Sequence, residues 1–243
     1  MHSNRYTFMF AIGLSVITAV VLVLISEGLK PLQDANIALD KKKNVLQSVL
    51  IYETEREAIE KAYDASVEEF VIDSEGNILE DEIVNNIEMK NEVKKDVADR
   101  KMPLYVYTKE DGEKYYIMPL HGVGLWGPIW GFISLESDFN TVYGAFFDHK
   151  SETPGLGAEI SERFFQDRFK EKELLDDGNF ISVNVIKSST KVNYGDEHRV
   201  DAISGGTITS DGVDAMIENC VEPYYAYFNK IGSGKTQLSL NSK

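Results

Sequence analysis

The sequence predicts an α+β protein: a single N-terminal transmembrane helix, then a domain with a mainly antiparallel sheet and flanking helices. Three observations predict it. Residues 6–26 form a long uncharged apolar run, residues 103–147 alternate short strand-like segments with turns, and helical periodicity lies on both sides of that series.

The apolar run reads YTFMFAIGLSVITAVVLVLIS. At about 1.5 Å per residue, a helix over these 21 residues crosses a hydrocarbon core of roughly 30 Å. The run exceeds a typical signal-peptide core, and no convincing small-x-small site precedes Glu27-Gly28-Leu29-Lys30. The reading is an uncleaved signal anchor, with a cleaved signal peptide as the alternative. Tyr6 and Phe8 stand where interfacial aromatics do. Flanking charge does not fix the orientation: Arg5 precedes the run, and Lys30 and Lys41-Lys42-Lys43 follow it, which by simple counting favours an N-terminus outside the cytoplasm, but long domains translocate largely regardless.

Residues 35–70 read as helix. Val45, Leu46, Val49 and Leu50 recur at helical spacing, as do Ala58, Ile59, Ala62 and Ala65, then Val67 and Phe70. Asp73-Ser74-Glu75-Gly76-Asn77 is a turn signal, and residues 81–99 read as surface loop and short helix. The character changes at Pro103. Residues 104–108 and 114–120 predict a hairpin with a turn at 109–112, and residues 130–135 and 141–147 predict two further strands. Residues 180–185 and 188–192 predict strands near the end of the sheet. Residues 214–228 predict a helix with Val213, Met216, Ile217 and Cys220 on one face, and the polar end of the chain reads as a frayed tail over 230–243.

With 243 residues, 43% apolar and 27% charged, the chain has room for one anchor and one sizeable domain, or two small ones. Its net charge of −15 argues against a nucleic-acid partner, which needs clustered Lys and Arg, and against a broad electrostatic grip on anionic lipid. The acidity serves mainly solubility. Cys220 is the only cysteine, so no intramolecular disulfide forms and cysteine usage does not report the compartment.

Three constellations stand out. In His121-Gly122-Val123-Gly124-Leu125-Trp126-Gly127-Pro128-Ile129-Trp130-Gly131-Phe132, glycines and a proline surround two tryptophans. This predicts an irregular tight loop running into a strand, either packed with its tryptophans in the core or forming the wall of a cofactor pocket or docking surface. In His149-Lys150-Ser151-Glu152-Thr153-Pro154-Gly155-Leu156-Gly157, Pro154-Gly155 favours a turn and the glycines around Leu156 permit close backbone approach to a planar ligand. His149 and Glu152 lack the further ligands a metal site wants, and no serine sits in a Gly-x-Ser-x-Gly elbow, so neither metal binding nor serine hydrolysis is expected. The third stretch is Asp201-Ala202-Ile203-Ser204-Gly205-Gly206-Thr207-Ile208-Thr209-Ser210. It is either a Gly-rich turn with Thr209 or Ser210 as an ordinary helix N-cap, or a loop that presents a hydroxyl and helix amides to a phosphate. His198 and Arg199 just before it are candidate counter-charges, or simply solvated.

The third stretch resembles the Ser-Gly-Ala-Thr flavinylation motif, whose threonine carries FMN through a phosphoester. Gly124-Leu125-Trp126 with Trp130-Gly131-Phe132, then Glu152 to Gly157, then Asp201 to Ser210 together resemble the C subunit of the sodium-translocating NADH:quinone reductase in order and approximate spacing, and the N-terminal anchor fits too. Glu152 to Gly157 with the Thr207 block marks the wider family of FMN-binding domains. The Gly-Leu-Trp block favours the C subunit over its paralogue, the G subunit of the Rnf complex. The resemblance spans nearly the whole chain and is weakest at 75–100 and after 229.

The resemblance implies an FMN-binding fold at 101–229, preceded by a cytoplasmic N-terminus at 1–5, the transmembrane helix at 6–26 and a membrane-proximal helical region at 27–100. The domain would face the periplasm from the bacterial inner membrane, with lipid contact through residues 6–26. It implies covalent FMN on Thr207, with Ser204, Gly205, Gly206, Ile208, Thr209, Glu152, Thr153, Gly155, Leu156 and Gly157 as the other cofactor-binding residues. It implies no catalytic acid or base and no metal in this chain. A flavin transferase would install FMN from FAD. The partners would be the five other subunits, A, B, D, E and F, of a complex that relays electrons from NADH towards quinone with sodium export. Gly206 stands where the family usually has alanine, which leaves the acceptor loop less rigid, and Thr209 is the alternative acceptor. The alternatives to this reading are a G-type subunit of an Rnf complex and a cofactor-free anchored assembly domain.

Overall fold

The computed structural model describes residues 4–232, divided between a unit that ends at Lys42 and one that begins at Lys43. The first unit is helical. Helix α1 runs Asn4–Ser48 without interruption and contains Pro31. Among the described residues it is the one helix long and apolar enough to cross a membrane, and its most apolar window is not buried in the protein at all. The helix therefore continues well past residue 26, and its last turn, with Val45, Leu46 and Ser48 buried, belongs to the second unit.

A single helix over 35–70 does not form. Leu50, at φ 64°, follows the end of α1. Helix α2 spans Arg56–Ser66, and Val67 and Phe70 lie in strand β1, Val67–Ile72. The reason is non-local: β1 pairs antiparallel with residues 102–107, from Val67↔Tyr107 to Ile72↔Met102, and buries Val71 and Ile72. Ladder bonds and burial override a local helical pattern. Residues 43–100 thereby join the unit that holds the sheet instead of standing apart as a membrane-proximal helical region. The turn at 73–77 forms as expected, with the Asp73 carboxylate accepting from the amides of Glu75 and Asn77 and Gly76 at φ 76°. Short helical turns at 84–86 and 97–99 flank α3, Met89–Glu92.

Strands β2 (Met102–Thr108), β3 (Lys114–Val123), β4 (Pro128–Leu135) and β5 (Val142–His149) complete a five-stranded antiparallel meander in sequence order. The stretch 121–132 is not irregular. It is the end of the β3–β4 hairpin, with His121↔Trp130 and Val123↔Pro128 in register, and only residues 124–127 turn. The Gly124 amide donates to the Gly127 carbonyl at 2.8 Å and closes that turn. Neither tryptophan fills the core: Trp126 is exposed and Trp130 half-buried.

Beyond the meander come α4 (Arg163–Gln166) and the small hairpin of β6 (Leu175–Asp176) with β7 (Asn179–Phe180). Strand β8 (Asn184–Ile186) pairs in parallel with β9 (Arg199–Asp201), as a separate ladder and not as an extension of the main sheet. No strand forms at 188–192. Residues 188–191 are exposed and polar, with no apolar face to bury, and the chain turns there through a bond from the Thr190 amide to the Lys187 carbonyl.

Helix α5 (Thr207–Val221) lies over β3, and α6 (Tyr225–Gly232) follows it. Val213, Met216, Ile217 and Cys220 do form the buried face of α5, packed into one cluster with Met118, Leu120, Ile129 and Ile133. The approach is close enough that a Cβ on Gly122 would stand 2.8 Å from the Met216 Cβ. Alternation along β4 puts Ser134 on the opposite face from Ile133. There it meets the end of α1, so helices cover both faces of the sheet. Helix α5 begins at 207 and not at 214, which makes Thr207 its first residue. The expected tail at 230–243 is helical through Gly232, and the rest of it lies outside the described residues.

Candidate functional site

Three segments converge on one cleft of about 360 Å³: the β3–β4 turn, the loop after β5 and the loop before α5. Its walls are Leu125, Trp126, Glu152, Thr153, Leu156, Gly157 and residues 205–209. The loop before α5 is shaped by its own small residues. The Gly206 amide donates to the Ile203 carbonyl at 3.0 Å, and Gly205 in that turn has φ 76°. A Cβ there would lie 2.6 Å from Leu156 Cδ2. The Ser210 hydroxyl, fully buried, accepts from the Ile203 amide at 3.0 Å and pulls the loop against the helix.

Gly206 is the N-cap of α5 and brings no side chain to the amides of the first turn. The first intrahelical bond runs from the Ser210 amide to the Gly206 carbonyl at 2.9 Å. The amides of Thr207, Ile208 and Thr209 precede it and have no partner within the helix. A helix start of this kind favours an anion. Thr207, half-buried, stands at that start and lines the cleft.

Glu152 faces inward. It is 5% exposed; its Oε1 accepts from the Trp126 amide at 2.8 Å and its Oε2 from the Thr209 hydroxyl at 2.7 Å. Its own amide donates to His149 Nδ1 at 3.2 Å. The carboxylate sits in a slot left by two glycines: a Cβ on Gly124 would lie 2.6 Å from Oε1, and one on Gly157 2.6 Å from Oε2 and in collision with the Thr209 hydroxyl.

Of the residues expected at the site, the cleft gathers Thr207, Gly205, Gly206, Ile208, Thr209, Glu152, Thr153, Leu156 and Gly157. Ser204 and Gly155 are exposed and lie outside its lining; Gly155, at φ 76°, shapes the loop instead. Leu125 and Trp126 join the lining, and the clustering of glycine around them was the signal for it. Thr209 and Ser210 are not N-caps, since that place belongs to Gly206 and both hydroxyls are buried. His198 and Arg199 are not counter-charges of the cleft. His198 is buried with Nδ1 2.8 Å from the Glu173 carbonyl. Arg199 pairs with Asp196 and Asp201 beside a separate surface cavity. Among the described residues, no lysine or arginine lines the cleft.

The residues present fit a flavin mononucleotide. Leu125, Trp126, Leu156 and Ile208 are exposed apolar side chains grouped around one opening, which suits a flat ring, and the uncapped helix start suits its phosphate.

Comparison with known proteins agrees. Residues 124–222 match the FMN-binding domain family. The chain is 31% identical to the C subunit of the Na(+)-translocating NADH-quinone reductase of Neisseria meningitidis serogroup B, over 95% of each chain. It is 31% identical to the Haemophilus ducreyi C subunit, over 91% of this chain and 93% of that one. It belongs to the C-subunit family of the Na(+)-translocating NADH-quinone reductase. The crystal structure of the C subunit from Parabacteroides distasonis superposes with a TM-score of 0.74 at 40% identity, covering 82% of this chain and 96% of that one. The α+β fold and the C-subunit resemblance read from the three blocks are thus borne out, and the family is by its name one member of a multi-subunit oxidoreductase.

Proposed function

We propose that this chain is the membrane-anchored redox subunit of such a reductase, with FMN attached by a phosphoester to Thr207, relaying electrons from NADH towards quinone with sodium export. Bound FMN supplies one- and two-electron redox chemistry. The chain's own residues hold it: the first-turn amides of α5 take the phosphate, and Leu125, Trp126, Leu156 and Ile208 wall the ring. In the attachment step Thr207 Oγ attacks the FMN phosphorus of FAD, forms the Oγ–P bond and expels AMP with the pyrophosphate electron pair. The hydroxyl proton goes to a base of the flavin transferase, because a threonine hydroxyl is a weak nucleophile unaided. In this reading helix α1 anchors the domain on the periplasmic face of the inner membrane, beside the five other subunits.

The observation that carries the proposal is the contrast at the head of α5. Both threonines border the cleft, but Thr207 is half-buried, whereas Thr209, the alternative acceptor, is 1% exposed and spends its hydroxyl on Glu152. The relatives compared above are named as C subunits of this reductase, which favours its complex over an Rnf complex. The test is expression with a flavin transferase, followed by intact mass and peptide mapping. Wild-type protein stays yellow after denaturation with FMN on the Thr207 peptide, and Thr207→Ala is colourless. A fully flavinylated Thr207→Ala variant overturns the assignment.

A further inference from the structure

We propose that Glu152 is a positioning residue that makes Thr207, and not Thr209, the modified hydroxyl, by setting the rotation of the first turn of α5. This rests on the flavin reading of the cleft.

The geometry points to it in three steps. First, Glu152 joins all three segments of the cleft through one carboxylate: Oε1 holds the Trp126 amide at 2.8 Å, Oε2 holds the Thr209 hydroxyl at 2.7 Å, and the residue itself belongs to the loop after β5. Second, the slot is built for a carboxylate. Side chains at Gly124 or Gly157 would fill it. The group inside is buried, and its described partners are hydrogen-bond donors, which is the condition for keeping a carboxylate out of water. Third, successive helical residues are about 100° apart around the axis, so positions 207 and 209 are about 200° apart. Holding the Thr209 hydroxyl on Glu152 therefore turns Thr207 away from Glu152: both residues border the cleft, Thr207 half-buried and Thr209 1% exposed. The same bond hides the competing hydroxyl.

Glu152 thus acts on the flavin site through Thr209 and the Trp126 backbone, without supplying a ligand. Glutamine can replace both bonds, since its carbonyl accepts from the Trp126 amide while its NH₂ donates to the Thr209 oxygen. Alanine and leucine can replace neither.

The experiment uses the full chain with a flavin transferase and FAD. It measures the initial rate of FMN addition, the occupancy of the 207 and 209 hydroxyls by peptide mass, and hydrogen exchange over residues 203–211 of the unmodified chain. Glu152→Ala and Thr209→Val are expected to slow addition at Thr207 roughly tenfold, as loss of a hydrogen bond to a charged group does, and to speed exchange across 203–211. Glu152→Gln recovers both readouts relative to Glu152→Ala, and Thr209→Ser relative to Thr209→Val. Thr209→Val removes one partner only and decides the matter where Glu152→Ala does not fold. A folded Glu152→Ala or Thr209→Val chain with wild-type rate and wild-type exchange overturns the proposal. Wild-type chain that takes up no flavin overturns the functional reading instead, and the exchange measurement then still decides whether Glu152 fixes the turn.

Discussion

The hydroxyl of Ser134 in β4 donates to the carbonyl of Ser48, 2.6 Å away, and lies 3.1 Å from the Gly144 carbonyl in β5. Both serines are fully buried. The bond fastens the last turn of α1 to strands β4 and β5, where a Cβ on Gly144 would collide with the Ser48 carbonyl. Ser134→Ala removes the donor and leaves a buried carbonyl unpaired, at a cost of about 1–3 kcal/mol. Urea unfolding of the variant checks this; an unchanged midpoint means that the contact carries no stability.

Gly205 and Gly206 are adjacent but ask for glycine to different degrees. Gly205 has φ 76° and faces Leu156, so Gly205→Ala is expected to cost about 1–2 kcal/mol in backbone strain alone. Gly206 has φ −106°, open to any residue. Its Cβ would meet Ile203 Cγ2 at 3.1 Å and the Leu156 and Gly157 backbone at 3.2 and 3.3 Å, so those neighbours must yield a few tenths of an ångström. Against that, alanine reduces the entropy of the unfolded chain by about 0.4–1 kcal/mol. Gly206→Ala should therefore sit within about 1 kcal/mol of wild type and still accept flavin. The idea fails if denaturation ranks Gly206→Ala as the less stable of the two.

Asp214 gives a pH dependence with a definite sign. Burial, reinforced by the nearby Glu218 and Asp211 charges, raises its pKa above the ordinary aspartate value, while the Val185 amide, 2.6 Å from Oδ1, lowers it in part. The folded chain therefore binds more protons than the unfolded chain in the window above the ordinary value. Stability from this group is present below that window and is lost as pH rises through the folded pKa. Asp214→Asn keeps an acceptor for Val185 and does not titrate. Relative to wild type, the variant should gain stability as pH rises from acid to neutral. Melting curves of both chains across that range check it, and a difference that is flat or shrinks with pH refutes it.

What the sequence disclosed follows from range. The four strands of 102–149 were legible because each hairpin brings its own turn and its own alternation. Strand β1 was not, since nothing in Val67 to Ile72 reveals that residues 102–107 will pair with it. In the site, the small residues around Thr207 were legible as a loop at a helix start. The inward turn of Glu152 was not, because it depends on Gly124 and Thr209 arriving from opposite ends of the domain. Sequence proximity misled at His198 and Arg199: Arg199 pairs through β9 with β8 and with Asp196 and Asp201, and His198 is held by the Glu173 carbonyl, so neither lines the cleft.

Trp126 tests the wall of the cleft separately from its acceptor. Its side chain is 64% exposed, and its described hydrogen bonds run through backbone: the amide to Glu152 and the carbonyl to the Ser151 hydroxyl. Trp126→Ala keeps both, so unmodified protein should lose less than about 1 kcal/mol, as surface substitutions do. A ring seated against Trp126 would lose an aromatic neighbour, and stacking contacts of this kind are worth about 0.5–1.5 kcal/mol. Flavinylated Trp126→Ala is therefore expected to show brighter flavin fluorescence and a shifted visible band, with FMN still on the Thr207 peptide. Superimposable spectra for wild type and variant would place the flavin ring elsewhere than against Trp126.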